Sequence, residues 1–537
     1  MVGANLITYD FIIIGAGSAG CVLANRLSAD PDTKVLILEA GGPDTNWLIH
    51  VPLGVAKILP NGLFNWNYMS APEPYADGTI VSHPRGKVLG GSSSINLMAY
   101  VRGHKRDYDT WRQKGLDGWS YDDVLPYFKR SEKFDKGGDD YHGDGGPLHV
   151  QAPLPKDTLF NTLLEAGKSG GYPYTADYNG DEQEGFTRLQ YTTKNGKRCS
   201  AAVAYLHPVA ARTNLTVVTD ALVTRIVIED GRARSVEYEN GGKIHTVHGE
   251  RDIICCGGAF NSPHTLMLSG IGPADHLRST GIEPIVDLPG VGQNLQDHPS
   301  VIMAYGRRDN SYFHRNLRYD RLTKSMIQAQ LFGTGFATEN PSHVTAFLKS
   351  KPELDIPDLQ LFFRVGLATS KPWFPLLSPA EPDGFLLRTC HLRPESRGTV
   401  TLASSDPKEK AIVQNNFLST RTDVEAMRDS IKIGRDIISQ PAFKDVVTEE
   451  LDPGRGQTSD QDIDAFVRKT ITTVFHPACS CKMGTDEMAV VDAQLKVRGV
   501  DGLRVADASV MPDQIGGNLN APVMMIAEKA ADMILTA

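Results

Sequence analysis

The chain predicts an α/β fold built in more than one unit, and three observations carry that prediction. The first is a strand, a glycine-rich turn, a helix and a second strand near the start. Phe11-Ile-Ile-Ile-Gly15-Ala-Gly17-Ser-Ala-Gly20 opens the unit, and Lys34-Val-Leu-Ile-Leu-Glu39 closes it on an acid. The second is length: 537 residues exceed what one ordinary hydrophobic core serves. The third is a change of character near residue 301. From there to about 464 glycine motifs thin out and alternating stretches appear, as in Leu359-Gln-Leu-Phe-Phe363 and Gly398-Thr-Val-Thr-Leu402.

The opening unit has the chemistry of a dinucleotide phosphate cradle. Gly15 permits a sharp turn, Gly17 a close approach of backbone to pyrophosphate, and Gly20 tight packing of helix on strand. The helix N-terminus offers free N–H groups and a partial positive charge. Glu39 lies 19 residues beyond Gly20, where an acid meets a ribose hydroxyl. Residues 41–110 are loop-rich, and loops inside a nucleotide-binding unit wrap the cofactor. Within them, Pro84-Arg-Gly-Lys-Val-Leu-Gly90-Gly91-Ser-Ser-Ser-Ile-Asn96 carries five consecutive small residues, a place for a flat ring or a phosphate. Helices are expected over 121–133 and 157–170. Asn214–Thr219 and Leu222–Ile228 read as strands joined by Asp220-Ala221. Asp252–Gly258 reads as a buried strand that returns the chain to the first unit. Asp423–Ser439 is expected as a helix, Gly502–Ser509 as a strand stopping at Asp507, and Asn520–Asp532 as the start of a terminal helix.

Composition narrows the functional classes. The net charge of −9 leaves no basic excess for nucleic acid. No apolar run approaches the roughly 20 residues that span a bilayer, and no signal peptide is evident in the first residues. The seven cysteines are odd in number and irregular in spacing, so a reducing cytoplasm fits better than a disulfide framework. His476-Pro-Ala-Cys479-Ser-Cys481 has no second ligand pair nearby, and no metal is expected.

Four separated segments, in order, resemble the glucose–methanol–choline (GMC) oxidoreductases, FAD-dependent alcohol-oxidising flavoenzymes. They are Gly15–Glu39, Gly86–Asn96, Gly258–Gly272 and the region of His476, Asp507 and Asn518; Gly290-Val-Gly-Gln-Asn-Leu-Gln-Asp-His298 is also typical of that family. The resemblance implies a glutathione-reductase-like FAD-binding Rossmann domain over 1–155, 214–300 and 465–537. A substrate domain with a mostly antiparallel sheet would occupy 156–213 and 301–464. Gly15, Gly17, Ser18, Ala19 and Gly20 would sit at the pyrophosphate, with Glu39 and Ala40 at the adenosine ribose and Val223 at adenine. Trp66, Val88, Gly91, Asn96, Leu97, Met98 and Ala99 would surround the isoalloxazine and its ribityl chain. Asp507 and Ala508 would hold the ribityl–pyrophosphate end, and Val523 the pyrimidine edge. Some members attach FAD through a histidine just before the motif's Asn; here that position is Ile95, so the FAD is expected to be non-covalent.

Alcohol oxidation by a flavin needs a group that takes the hydroxyl proton and a donor that holds the oxygen. The resemblance implies His476 for the first, with Asn518 as its partner and Asn520 as the alternative. A neutral primary alcohol is the expected substrate, with electrons passing to a quinone- or dye-type acceptor or to O2. Two rival readings stand beside this one. An NAD-dependent dehydrogenase would share the first motif, and a redox-silent, hydroxynitrile-lyase-like relative would keep the FAD.

Overall fold

The computed structural model describes residues 8–536. In chain order its principal elements begin with β1 (Thr8–Ile14), α1 (Ser18–Leu27), β2 (Val35–Leu38), β3 (Gly185–Arg188), β4 (Leu215–Val218) and β5 (Leu222–Glu229). There follow β6 (Arg232–Asn240), β7 (Lys243–Cys255), α2 (Gly258–Leu268), β8 (Pro299–Arg307), β9 (Ser342–Leu348), β10 (Leu359–Val365) and β11 (Gly384–His391). Last come α3 (Arg421–Ser439), β12 (Val447–Asp452), β13 (Thr472–Thr473), β14 (Leu503–Val505) and α4 (Asn520–Leu535).

Two sheets organise the molecule. The first runs β4-β2-β1-β7-β6-β5, with β14 pairing β7. Its centre is parallel, and Phe11–Ile14 and Val35–Leu38 are buried throughout. A parallel strand covered on both faces needs such an unbroken apolar run. The strands on either side of Asp220-Ala221 do not pair with each other. β4 joins β2 at one edge, while β5 joins β6 at the other. β7 belongs to two environments. Its inner end, Asp252–Cys255, lies parallel to β1, while its outer end runs antiparallel to β6 with several exposed side chains.

The second sheet runs β12-β8-β11-β10-β9-β3 with β13 beside β8, and every pairing within it is antiparallel. Side chains alternate between its faces. Val301, Met303, Leu361, Phe363, Phe385 and Leu387 enter one apolar cluster with Met427 and Ile431 of α3. Their neighbours Ile302, Phe362, Arg364, Leu386 and Arg388 line a cavity on the opposite face. Two stretches placed by sequence in the substrate domain pack towards the first sheet instead. The hairpin Thr399–Thr401/Ile412–Gln414 joins Tyr68, Phe260 and Leu295 in one cluster. Ala202–Leu206 packs on α1. No helix among the described residues is long and apolar enough to cross a membrane.

Candidate active site

One cavity of about 1190 Å³ runs from the glycine turn after β1 to the face of the second sheet. At its first end the turn is shaped by contacts that only glycine allows. Gly15 has φ +100°, and a Cβ there would stand 2.8 Å from the Cys256 carbonyl oxygen. A Cβ on Gly20 would stand 1.9 Å from the Gly15 oxygen, so Gly20 serves the packing of α1 on β1. The N-terminus of α1 carries no side-chain cap and no acid in its first turn. The backbone N–H groups of Ser18, Ala19 and Gly20 therefore lack a protein acceptor among the described residues. Ser18 and Ala19 open on the cavity beside Gly15 and Gly17. An uncapped, acid-free helix start on a cavity of this size fits the pyrophosphate of a dinucleotide.

Glu39 closes β2 and is held by both oxygens. One accepts from the Ala16 N–H at 2.9 Å and the other from the Gly41 N–H at 2.8 Å. Burial pushes its carboxyl up to about 7, against the opposing pull of those amides and Lys87. Asp507 is fixed in the same way. It accepts from Gly258 N–H at 2.8 Å, Ser262 Oγ at 2.6 Å and Ser509 N–H at 2.8 Å. Gly15, Gly17, Ser18, Ala19, Glu39, Ala40, Trp66, Gly91, Asn96, Leu97, Met98, Ala99, Val223, Asp507, Ala508 and Val523 all line the cavity. Gly20 and Val88 do not. Val88 is buried behind the wall with Ile49, Ile58 and Ile95.

The loop of small residues lies against the glycine turn. Gly90 N–H donates to Ala16 O at 2.8 Å, and a Cβ on Gly91 would stand 2.7 Å from Gly17 Cα. Arg198 ties down the far side of this loop. Buried in the fold, it donates to the carbonyls of Ile49, Ser93 and Asn96 and to Asn96 Oδ1. Nothing in the sequence around Arg198 marks it, because its acceptors come from segments 102 to 149 residues away.

At the other end stand His476 and Asn518, with Asn518 Nδ2 3.1 Å from His476 Nε2. Asn520 instead accepts from Ser18 Oγ at 2.7 Å, joining the starts of α1 and α4. His298, which ends the Gly290–His298 motif, has a role that its motif position does not show. Its Nε2 lies 3.1 Å from the Ile515 carbonyl and its Nδ1 lies 3.1 Å from His476 Nδ1. A carbonyl only accepts, so His298 carries its proton on Nε2 and its Nδ1 is a bare acceptor. His476 then donates from Nδ1, which leaves its Nε2 lone pair directed at Asn518 and the cavity. Asp297 accepts the backbone N–H groups of both histidines, at 2.8 Å and 2.9 Å, and Gln514 Nε2 donates to His476 O at 2.8 Å. Burial, then His298, Arg85 and Arg388, hold the His476 imidazole well below its usual pKa, and burial brings His298 down to about 3. Both rings are neutral at ordinary pH.

A neutral histidine facing a cofactor-sized cavity beside a Rossmann-type sheet is the arrangement of a dinucleotide-dependent oxidoreductase. The chain belongs to the GMC oxidoreductase family. Family models described as GMC oxidoreductase match residues 9–300 and 394–527. Membership brings FAD-dependent oxidation of an alcohol, in place of both the NAD-dependent and the lyase readings. Among similar proteins is an oxygen-dependent choline dehydrogenase of Sinorhizobium fredii, 44% identical and covering 98% of this chain and 95% of the relative. The mitochondrial choline dehydrogenase of Mus musculus is 42% identical, covering 98% and 89%. Among solved structures, pyridoxine 4-oxidase from Mesorbium loti superposes with a TM-score of 0.88 at 31% identity, covering 98% of this chain and 99% of that one. A formate oxidase superposes with a TM-score of 0.90 at 28% identity, covering 99% of each chain.

Proposed function

We propose that the protein oxidises a primary alcohol to its aldehyde, with His476 Nε2 as the general base and Asn518 as the donor that positions the substrate oxygen. The observation that carries this reading is the hydrogen-bond relay Ile515 O–His298–His476–Asn518. It presents one bare nitrogen to the cavity, and burial holds the imidazole well below its usual pKa. FAD held at this cavity would supply an acceptor for the hydride of the carbinol carbon. His476 removes the hydroxyl proton, Asn518 Nδ2 turns from His476 to the developing alkoxide, and the guanidinium charge of Arg85 favours that anion.

The pyrophosphate is assigned to the start of α1, at Gly15, Gly17, Ser18 and Ala19. Glu39 and Ala40 face the adenosine ribose, and Val223 faces adenine. Trp66, Gly91 and Asn96–Ala99 border the ring system; Asp507, Ala508 and Val523 border its ribityl and pyrimidine sides. Ile95, with no nucleophile, favours dissociable FAD. The acceptor is O2 or a quinone, and the seven buried, unpaired cysteines suit the cytoplasm. Anaerobic stopped-flow with a panel of alcohols tests the reading. Bleaching of the flavin by a primary alcohol is expected; a flavin that no alcohol bleaches overturns it.

Choline is the second reading, supported by the choline dehydrogenases at 44% and 42% identity. A quaternary ammonium needs a carboxylate or an aromatic cage to meet its charge. The cavity-lining carboxylates, Glu39, Glu409 and Asp507, all lie off the second sheet.

A further inference from the structure

We propose that the substrate alcohol carries a carboxylate remote from its hydroxyl, and that Arg364 and Arg388 on the second sheet bind it. The inference rests on the alcohol-oxidation reading and names the substrate class. Arg364 stands opposite Leu386, and Phe362 opposite Arg388, across adjacent antiparallel strands. The two arginines are thus diagonal neighbours on one face, about 7–8 Å apart at the backbone. That face forms a wall of the cavity containing His476.

Neither guanidinium has an anionic partner among the described residues. Arg364 makes no side-chain hydrogen bond there, although it is the most accessible side chain of its strand and opens on the cavity. Arg388 makes one, from Nη1 to the Thr473 carbonyl at 3.0 Å, and its guanidinium lies 5.7 Å from the centre of the Phe475 ring. The four buried arginines of the described residues are compensated, whereas Arg85, partly buried on the same cavity, has only the Pro84 and Phe475 carbonyls. Arg102 meets Glu132 at 2.6 Å, Arg307 meets Asp157 at 2.6 Å, Arg504 meets Asp252 at 2.8 Å, and Arg198 has its four carbonyl-type bonds. Arg364 is exposed on the cavity wall and Arg388 is half-buried beside it, and two like charges placed side by side favour an anion that joins them. Desolvation lowers the Arg388 guanidinium pKa to about 10, with Arg364 adding repulsion.

The surrounding wall fits the rest of such a molecule. Phe313, Leu317, Leu322 and Met326 supply apolar surface for a chain or a ring. Two guanidinium forks match a carboxylate's four lone pairs. The same charges repel a trimethylammonium group, so the wall discriminates against choline as well as favouring an acid. Oxidation leaves the carboxylate unchanged; the hydroxyl end alone loses its proton and hydride, giving an aldehyde acid.

The test uses the FAD-loaded enzyme with ω-hydroxy acids of three to eight carbons, their methyl esters, and choline. The best acid is expected to exceed its ester in kcat/KM by roughly 10–10²-fold, the scale of a hydrogen bond to a charged group. In Arg364→Met that ratio falls towards one, mainly through a higher KM for the acid, and Arg364→Lys restores part of it. Hexanoate titrated into the oxidised enzyme should perturb the flavin absorption spectrum, and Arg364→Met should weaken its binding to a similar degree. Esters or choline turned over as well as the acids, or an unchanged ratio in Arg364→Met, overturns the proposal. If no alcohol reduces the flavin, alcohol oxidation is the reading that fails. The hexanoate titration then decides the anion site alone: spectral change lost in Arg364→Met supports it, and no change overturns it.

Discussion

His476 illustrates how little of a residue's chemistry resides in the residue. An imidazole alone offers two equivalent tautomers and a pKa near 6.5. Here a backbone carbonyl at Ile515 orients His298, which orients His476, and burial keeps both rings neutral. His476→Ala should slow anaerobic flavin reduction by roughly 10²–10⁴-fold, the range for a lost acid–base group. Asn518→Ala should cost roughly 10–10³-fold, because it removes one hydrogen bond to a developing charge. The pH profile follows from the lowered pKa. A base whose conjugate acid titrates well below 6.5 is already free at neutral pH. The reduction rate should therefore stay flat from pH 6.5 to 9 and fall only in more acid solution. A rise centred near pH 6.5 in stopped-flow would show that the imidazole is not held down. His298→Phe removes the acceptor for the Nδ1 proton and frees the tautomer. Stopped-flow should find reduction slower by roughly 10–10²-fold, the cost of losing a group that orients a functional histidine, with flavin content unchanged. The motif positions of His476 and Asn518 anticipated that the two would meet at one end of the cavity. His298 ended a motif already noted, but its role depends on a contact across 178 residues that spacing does not reveal.

Among the elements, the start of α1 and the Gly86–Asn96 loop work as one piece. The helix leaves its first amides unpaired, and the loop closes over the turn so tightly that Gly91 meets the Gly17 backbone. Gly91→Val introduces a β-branched side chain at φ +53° with its Cβ 2.7 Å from Gly17 Cα. The backbone strain alone is about 1–3 kcal/mol, and the loop must lift. Flavin absorbance per mole of protein should fall sharply while the far-UV circular dichroism stays that of the parent. Full flavin occupancy in the variant would show that loop and turn need not touch. The small-residue run was visible in the sequence. Its seat was not, because Arg198, which pins it, carries no pattern of its own.

Across the whole molecule, the first sheet, α1, α4 and the loops border one end of the cavity, and the second sheet faces them across it. We propose that the second sheet selects the alcohol. Exchanging residues 301–397 and 415–464 for those of a GMC relative, with the 399–414 hairpin kept, should change the preferred alcohol and leave FAD bound. Loss of flavin with unchanged preference would reverse that division of labour. Acid precipitation of the holoenzyme should leave the yellow colour in the supernatant, and colour in a washed pellet would show a covalent link.

Local signals determined much of this protein. The glycine turn, the apolar parallel strands and the motif order each depend on backbone conformation or on contacts within a few residues, which neighbours in sequence encode. They fix the family, the cofactor class and the principal catalytic candidates. Tertiary structure decided the rest. It separated β4 from β5 at opposite edges of the sheet, moved the 399–414 hairpin to the cofactor side, oriented His476 through His298, and left Arg364 and Arg388 facing the cavity without partners. Each of those outcomes depends on which distant groups satisfy, or fail to satisfy, a buried charge or hydrogen bond, and that pairing exists only once the chain has folded.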